Sequence, residues 1–537
     1  MTTSRIDDPI RTGLASGWDV VDASTLDADL IVEADVAIVG SGAGGGVTAE
    51  TLALAGCKVV VLEEGPLRSS TDFRMREAEA YPDLYQESAA RKTADKAINI
   101  LQGRCVGGGT TVNWTSSFRT PASTLGHWQR ALGIEGFDEE SLAPWFARME
   151  QRLGIAPWAV APNANNAALA RGAAKLGIAS DAIRRNVRGC WNLGYCGMGC
   201  PTNAKQSMLV TTLPAALGRG AKLVTRVRAE KLVLAGDRVD RLVARALDAA
   251  GTAPTARTVT VRARSYVVAG GAIGSPALLL RSGVPDPHAL IGKRTFLHPA
   301  IVSAAQMDER IEGYAGAPQT IYSDHWLDVP VDGPAGFKLE APPIHPVLAA
   351  ITLTGHGEAH ARWMRALPTM HVLIALIRDG FHPDSPGGTV ALRDDGTPAL
   401  DYPLNAYLFD AMRRAFGAMA DLQFAAGARS VMPVHGRADE FATADAARRA
   451  IASFAIGPLV TPIVSAHVMG GCPLGANPKH AVVDTNGRHH HLDNLHVIDG
   501  SLFPTSIGAN PQLSIYAVAA KLSAGLATSL GAKPHAA

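Results

Sequence analysis

A chain of 537 residues with 50 Lys plus Arg against 49 Asp plus Glu is close to neutral, which leaves no electrostatic case for nucleic acid or an anionic membrane surface as a partner. With 47% apolar residues and 54 glycines, it suits a compact, loop-rich α/β protein with room for more than one core. No apolar run reaches the roughly 18–20 residues of a membrane span, and the N-terminal MTTSRIDDPIRTGLASGWDV lacks the apolar core of a signal peptide. The chain is therefore expected to be cytoplasmic, with peripheral membrane association or export alongside a partner subunit left open.

In chain order, the first informative element is Ala34–Gly65. An apolar run, Val36 to Val39, enters a Gly40-x-Gly42-x-x-Gly45 turn; an Ala-rich helical segment follows, then a second apolar run, Val59 to Leu62, that ends at Glu63. The glycines let backbone N–H groups reach a pyrophosphate at a helix N-terminus, and a carboxylate closing the second strand can hydrogen-bond a ribose. Strand, turn, helix, strand and terminal acid in that order predict a dinucleotide site. A second glycine loop, Gly103–Asn113, follows a polar helical stretch.

Three of the six cysteines, Cys190, Cys196 and Cys200, then fall within eleven residues, while Cys57, Cys105 and Cys472 are scattered. That arrangement does not read as a disulfide framework. Ser265–Gly271 predicts a short buried strand breaking at paired glycines, and Gly274–Gly283 a helix with Ser275 and Pro276 at its start. Glu340, in FKLEAPP, reads first as a solvated strand end, with substrate polarisation as the other reading. Met370–Ile377, MHVLIALI, reads first as a buried helix, and otherwise as a substrate lining or a membrane-docking face. His489, His490 and His491 are expected at a hairpin tip, with metal binding as the minor alternative.

The expected fold class is α/β: a Rossmann-like nucleotide domain assembled from residues 1–120, 206–300 and 461–537, and an α+β substrate domain and cap with an antiparallel sheet from 121–205 and 301–460. No tandem repeat or low-complexity tract is evident.

Taken together, the Gly40 unit, the Gly103–Asn113 loop, the Gly271–Gly283 segment and the block from His467 to Asn510 resemble the glucose–methanol–choline (GMC) family of flavin oxidoreductases in order and separation. The most specific part is SAHVMGGCPLG, Ser465–Gly475, with NLHVIDGSLFPTSIGANPQLSI, Asn494–Ile515; its wording is nearest to cholesterol oxidases, long-chain alcohol oxidases and bacterial FAD-dependent alcohol or glucose dehydrogenases. The second family signature departs at Pro285, where a glycine is common, and the first at its aromatic position, with Phe118 one residue late.

The resemblance implies FAD. By motif matching, Gly40, Gly42, Gly45 and Glu63 would hold the ADP half, and Gly108, Gly109 and Asn113 would pass beside the isoalloxazine. Asp499 and Gly500 would meet the ribityl–pyrophosphate region, and Ala229 would offer backbone to the adenine. Gly103–Asn113 contains no histidine of the kind that attaches FAD in some relatives, so a non-covalent flavin is expected. The Cys190-x5-Cys196-x3-Cys200 spacing resembles that of dehydrogenases carrying a three-iron iron–sulfur cluster, and reduced structural thiols are the alternative.

Oxidising an alcohol removes a hydroxyl proton and a hydride from the same carbon, and FAD can take the hydride. His467, which opens the C-terminal block, is expected to act as base, since the ordinary imidazole pKa of about 6.5 suits proton transfer near working pH. Asn510 occupies the partner position and would hold the alcohol oxygen. His298, in FLHP, is expected to be structural or flavin-proximal. The expected function is oxidation of a small-molecule, apolar alcohol, with oxygen, a quinone or a cytochrome as acceptor. A sugar or sterol-type secondary alcohol dehydrogenase and a catalytically silent flavin-binding relay subunit are the alternatives.

Overall fold

The computed structural model describes residues 6–327, 329–330, 333–437 and 439–533. Its organising element is a mixed eight-stranded sheet. Strands Val20–Asp22, Lys222–Thr225, Val59–Leu62, Leu30–Val39 and Pro254–Val268 lie side by side and parallel, and Leu495–Val497 adds to the last of them. Arg238–Leu247 and Val227–Ala235 extend the sheet antiparallel from the long Pro254–Val268 strand. Val59–Leu62 is buried throughout, as a strand covered on both faces of a parallel sheet requires. Helix Ala43–Leu54 packs between this sheet and the C-terminal helix Gln512–Ser529, with Leu52 and Ala53 in the same core as Val36, Ile38 and Leu513.

A second, mainly antiparallel sheet runs Ile98–Ile100, Ile463–Ser465, Ala300–Gln306, Met370–Ile377, Phe337–Glu340, Ile321–Trp326 and Asp181–Ala182, with Ser430–Pro433 also pairing with Ala300–Gln306. The 20-residue helix Ala406–Ala425 covers one face, burying Met412, Phe416 and Met419 against Ile301, Leu373 and Ala375. A four-stranded sheet, Pro398–Asp401, Gly388–Leu392, Lys293–Phe296 and Met469–Gly470, lies where the chain passes between the two larger ones. The mixed α/β class with a Rossmann-like sheet and an antiparallel sheet is thus as expected from the sequence.

Three local expectations are corrected. Met370–Ile377 is a strand, not a helix. Its Leu373, Ala375 and Ile377 face the helix core, and Met370, Val372, Ile374 and Leu376 line a cavity on the other side, so both faces are largely buried and the run shows no alternation. The central helix begins at Gly271 rather than Gly274 and carries Pro276 in its interior, closing at Gly283 in a left-handed conformation (φ 62°). His489 is buried rather than displayed at a hairpin tip, and His490 Nε2 meets the carbonyl of Gly475 at 3.0 Å.

Candidate active site

Four glycine-bearing segments meet at the ends of the first sheet because they have no side chains there. Gly42 caps helix Ala43–Leu54, and a Cβ on Gly108 of the second glycine loop would lie 2.9 Å from the Gly42 Cα, so the two loops touch backbone to backbone. A Cβ on Gly44 would fall 1.9 Å from the carbonyl oxygen of Ile498, which lets the C-terminal block close over the first turn of the helix. Among the described residues no side chain caps this helix, and Gly42, Ala43 and Gly44 line the cavity beside it. Main-chain donors at the positive end of a helix dipole fit an anionic diphosphate.

That cavity, about 1380 Å³, exceeds the roughly 300–1,000 Å³ of a pocket for one small ligand. Gly40, Gly42, Glu63, Gly108, Gly109, Asn113, Ala229, Asp499, Gly500, His467 and Asn510 all line it. Gly45 is the exception: it lies beneath the turn, where a Cβ would meet the Gly40 carbonyl at 1.9 Å. The segment 393–397, between strands Gly388–Leu392 and Pro398–Asp401, also lines the cavity, as do Ala229 and residues 250–252. The expected substrate segment therefore contributes to the wall on which Ala229 sits, a contribution that no local motif signals.

The two acids are held in place by main chain. Glu63 Oε2 accepts from the Ser41 N–H (3.0 Å) and hydroxyl (2.5 Å), and Oε1 from the Gly65 N–H (2.9 Å), so it braces its own loop while facing the cavity; burial raises its pKa. Asp499 Oδ2 accepts from the Gly271 N–H (2.7 Å) and Ser275 hydroxyl (2.6 Å), and Oδ1 from the N–H and hydroxyl of Ser501. Asn113 donates to Gln512 Oε1 at 2.6 Å. Behind the second glycine loop, the buried Lys205 ammonium donates to the carbonyls of Thr111 (2.7 Å), Asn113 (2.7 Å) and Cys196 (2.6 Å), and burial lowers its pKa to about 8. Sequence reasoning missed Lys205.

At the other end of the cavity, His467 Nε2 lies 3.3 Å from the Asn510 amide nitrogen, and His467 Nδ1 lies 3.3 Å from His298 Nδ1. Burial, then the positive charge of Lys338, lowers the His467 pKa to about 4. Lys338 is itself fully buried, its ammonium 3.7 Å from the Phe118 ring centre and 3.9 Å from that of Tyr322, and paired with Asp324 at 2.6 Å.

Glu340 is not a solvated strand end. It is 0% exposed, with Oε2 accepting from Gln319 Nε2 (2.7 Å) and, at 3.4 Å, from Asn510 Nδ2. Its Oε1 has no hydrogen-bond partner among the described residues, and burial raises its pKa to about 7, against the lowering effect of Lys338. A carboxyl, an imidazole and a carboxamide in contact can bind a hydroxyl and move its proton.

Of the two readings of the cysteine trio, the iron–sulfur cluster finds no support. Among the described residues, no group of three or more His, Cys, Asp or Glu is arranged to hold a metal ion. Cys190, Cys196 and Cys200 instead take local contacts: the Asn192 N–H at 3.4 Å from Cys190 Sγ, Arg185 at 3.6 Å from Cys196 Sγ, and the Lys205 N–H at 3.5 Å from Cys200 Sγ. None of the described helices is long and apolar enough to cross a membrane.

Two family models, both described as GMC oxidoreductase, match residues 81–300 and 383–519. A GMC-type oxidoreductase of Mycobacterium tuberculosis is 31% identical over 92% of this chain and 76% of its own. A long-chain-alcohol oxidase of Arabidopsis thaliana is 29% identical over 93% of this chain and 68% of its own. Among solved structures, pyridoxine 4-oxidase from Mesorbium loti aligns with a TM-score of 0.66 at 21% identity, over 91% of this chain and 98% of that one, which bears on the fold alone.

The arrangement of the cysteines predicts that purified protein carries no stoichiometric iron or acid-labile sulfide. Elemental analysis finding about three irons per chain would contradict it.

Proposed function

The chain belongs to the GMC oxidoreductase family, and on that premise we propose that it oxidises an apolar alcohol to an aldehyde or ketone with a non-covalently held FAD. The observation that carries this reading is the single cavity running from Gly40–Gly44 to His467 and Asn510. In this reading Gly40, Gly42, Glu63 and Ala229 hold the ADP half, Gly45 supports the turn, and Asp499 and Gly500 meet the ribityl–pyrophosphate region. Gly108, Gly109 and Asn113 flank the ring system. When bound, FAD supplies the acceptor for the hydride that leaves the alcohol carbon.

The chain's own groups handle the hydroxyl. His467 and Asn510, both on the cavity wall, hold the alcohol oxygen. With a pKa near 4, the His467 ring is uncharged at neutral pH and a weak base. Glu340 stands directly behind Asn510 with a raised pKa of about 7 and an unpartnered carboxylate oxygen. A base is most effective when its pKa is near the working pH. This reading therefore gives the hydroxyl proton to Glu340, by way of one bridging water because that carboxyl lies behind Asn510 and off the cavity wall, and leaves His467 to hydrogen-bond the oxygen, a change from the base role expected of His467 on sequence. One proton to Glu340 and one hydride to the flavin leave the carbonyl product. The relative named as a long-chain-alcohol oxidase supports molecular oxygen as the acceptor that restores the flavin.

The substrate class follows from the wall beyond His467. Met370, Val372, Ile374 and Leu376 face the cavity, and helix Pro346–Thr352 brings Val347 and Ile351 to it, the latter 62% exposed. Such a wall suits an alcohol on an extended apolar chain whose far end approaches the surface, because each buried methylene contributes about 0.8 kcal/mol.

Along the series from butanol to decanol, kcat/KM is expected to rise by about fourfold per methylene, the equivalent of that 0.8 kcal/mol. A flat profile, or preference for polyols, would reject the apolar substrate. Glu340→Gln should lower kcat by about 10²–10⁴-fold with the flavin retained. In the unsubstituted enzyme kcat should rise as pH increases through about 7, because only the ionised carboxylate accepts a proton. A Glu340→Gln enzyme with unaltered kcat would return the base role to His467.

A further inference from the structure

His298 follows the strand Lys293–Phe296 and is buried, with its backbone in the left-handed region (φ 48°). A histidine there is strained and persists only where its surroundings hold it. Asp379 supplies the hold. Its carboxyl accepts from the backbone N–H groups of Leu297 (3.4 Å) and His298 (3.3 Å), and the Tyr402 hydroxyl donates to the same carboxyl.

The ring is then constrained from the opposite side. The main-chain N–H of Gly508, two residues before Asn510, donates to His298 Nε2 at 3.0 Å. A peptide N–H can only donate, so Nε2 carries the lone pair. Burial and the neighbouring His467 hold His298 neutral, which leaves its single proton on Nδ1. That nitrogen is 3.3 Å from His467 Nδ1, with the ring planes at 86° and the centroids 5.4 Å apart. His467 Nδ1 must therefore accept, and its own proton must sit on Nε2.

We propose that His298 is a positioning residue that fixes the tautomer of His467, so that His467 offers an Nε2–H donor to the alcohol oxygen. The direction of every bond in the row is set by one main-chain N–H on the loop that carries Asn510. This direction requires the Asn510 amide to turn over from the orientation in which its nitrogen faces His467 Nε2 and Glu340 Oε2, so that its oxygen, otherwise without a partner among the described residues, meets His467 Nε2. Turned this way, the amide also accepts from Glu340 while that carboxyl is protonated. Once Glu340 ionises, the alcohol oxygen replaces the amide oxygen as the acceptor for Nε2–H. The inference rests on the proposed alcohol chemistry only for its consequence, since the tautomer itself follows from hydrogen-bond directions.

Long-range ¹H–¹⁵N spectra of histidine-labelled holoenzyme, with the His467 signals identified by their loss in His467→Gln, read the tautomer without any substrate. The expected pattern is a protonated Nε2 and an unprotonated Nδ1 for His467. His298→Leu should release the ring into a mixture of tautomers and lower kcat by about 10²-fold, with KM changed far less and the flavin retained. His298→Asn places an amide donor near the former Nδ1 and should restore most of both signals. A wild-type His467 protonated on Nδ1, or an unchanged tautomer in a folded His298→Leu enzyme, would overturn the proposal. Should His298→Leu not fold, the wild-type spectrum alone decides. A protein that oxidises no alcohol but has His467 protonated on Nε2 would sink the functional reading and leave the tautomer assignment standing.

Discussion

Backbone meets backbone at the ends of the parallel sheet, and the rest of the site depends on that contact. A Cβ at Gly40 would lie 2.3 Å from the Ala269 carbonyl oxygen, at Gly44 1.9 Å from that of Ile498, and at Gly108 2.9 Å from the Gly42 Cα. Segments separated by hundreds of residues converge there because nothing projects between them. Asp499 then ties the convergence with hydrogen bonds to the central turn at Gly271 and to Ser501. Closing these loops places the C-terminal block over the first helix turn and brings His467 and Asn510 onto the wall of the same cavity.

At the far end of the cavity, charge is managed by burial and by a cation held in reserve. The Lys338 ammonium sits against the faces of Phe118 and Tyr322 and pairs with Asp324; burial lowers its own pKa, and its positive charge lowers the pKa of both His467 and His298. Burial raises the Glu340 pKa to about 7 against the lowering effect of Lys338. In the proposed reaction, opposite shifts on neighbouring groups sort their roles: an uncharged imidazole to hydrogen-bond, and a carboxyl near its titration point to take a proton. Desolvation is the largest cause of each shift, which makes the apolar packing around these groups part of the electrostatics.

Much of this was legible in the sequence because it is local. The Gly40-x-Gly42-x-x-Gly45 turn, Glu63 at the strand end and the glycines around Asp499 record backbone requirements that act over a few residues. What failed to register was pairing at long range. Met370–Ile377 carries no period because both its faces are buried, and length alone did not separate strand from helix. Glu340 sits beside an apolar run in both readings, and only its position behind Asn510, 170 residues away, distinguishes a buried carboxyl from a solvated one. The cysteine spacing fixed a separation along the chain but no geometry, and the structure gives those thiols local partners instead. His298 gained its role through Gly508, and Lys205 through the loop at Thr111–Asn113; neither contact leaves a motif.

The most direct trial of the account is to mix the purified holoenzyme with a medium-chain primary alcohol under anaerobic conditions and follow the visible absorbance. Alcohol oxidation through a bound flavin requires a two-banded flavin spectrum that bleaches on mixing, with carbonyl product formed in amounts equal to the flavin. A colourless protein, or a flavin spectrum that no alcohol bleaches at any chain length, would contradict it.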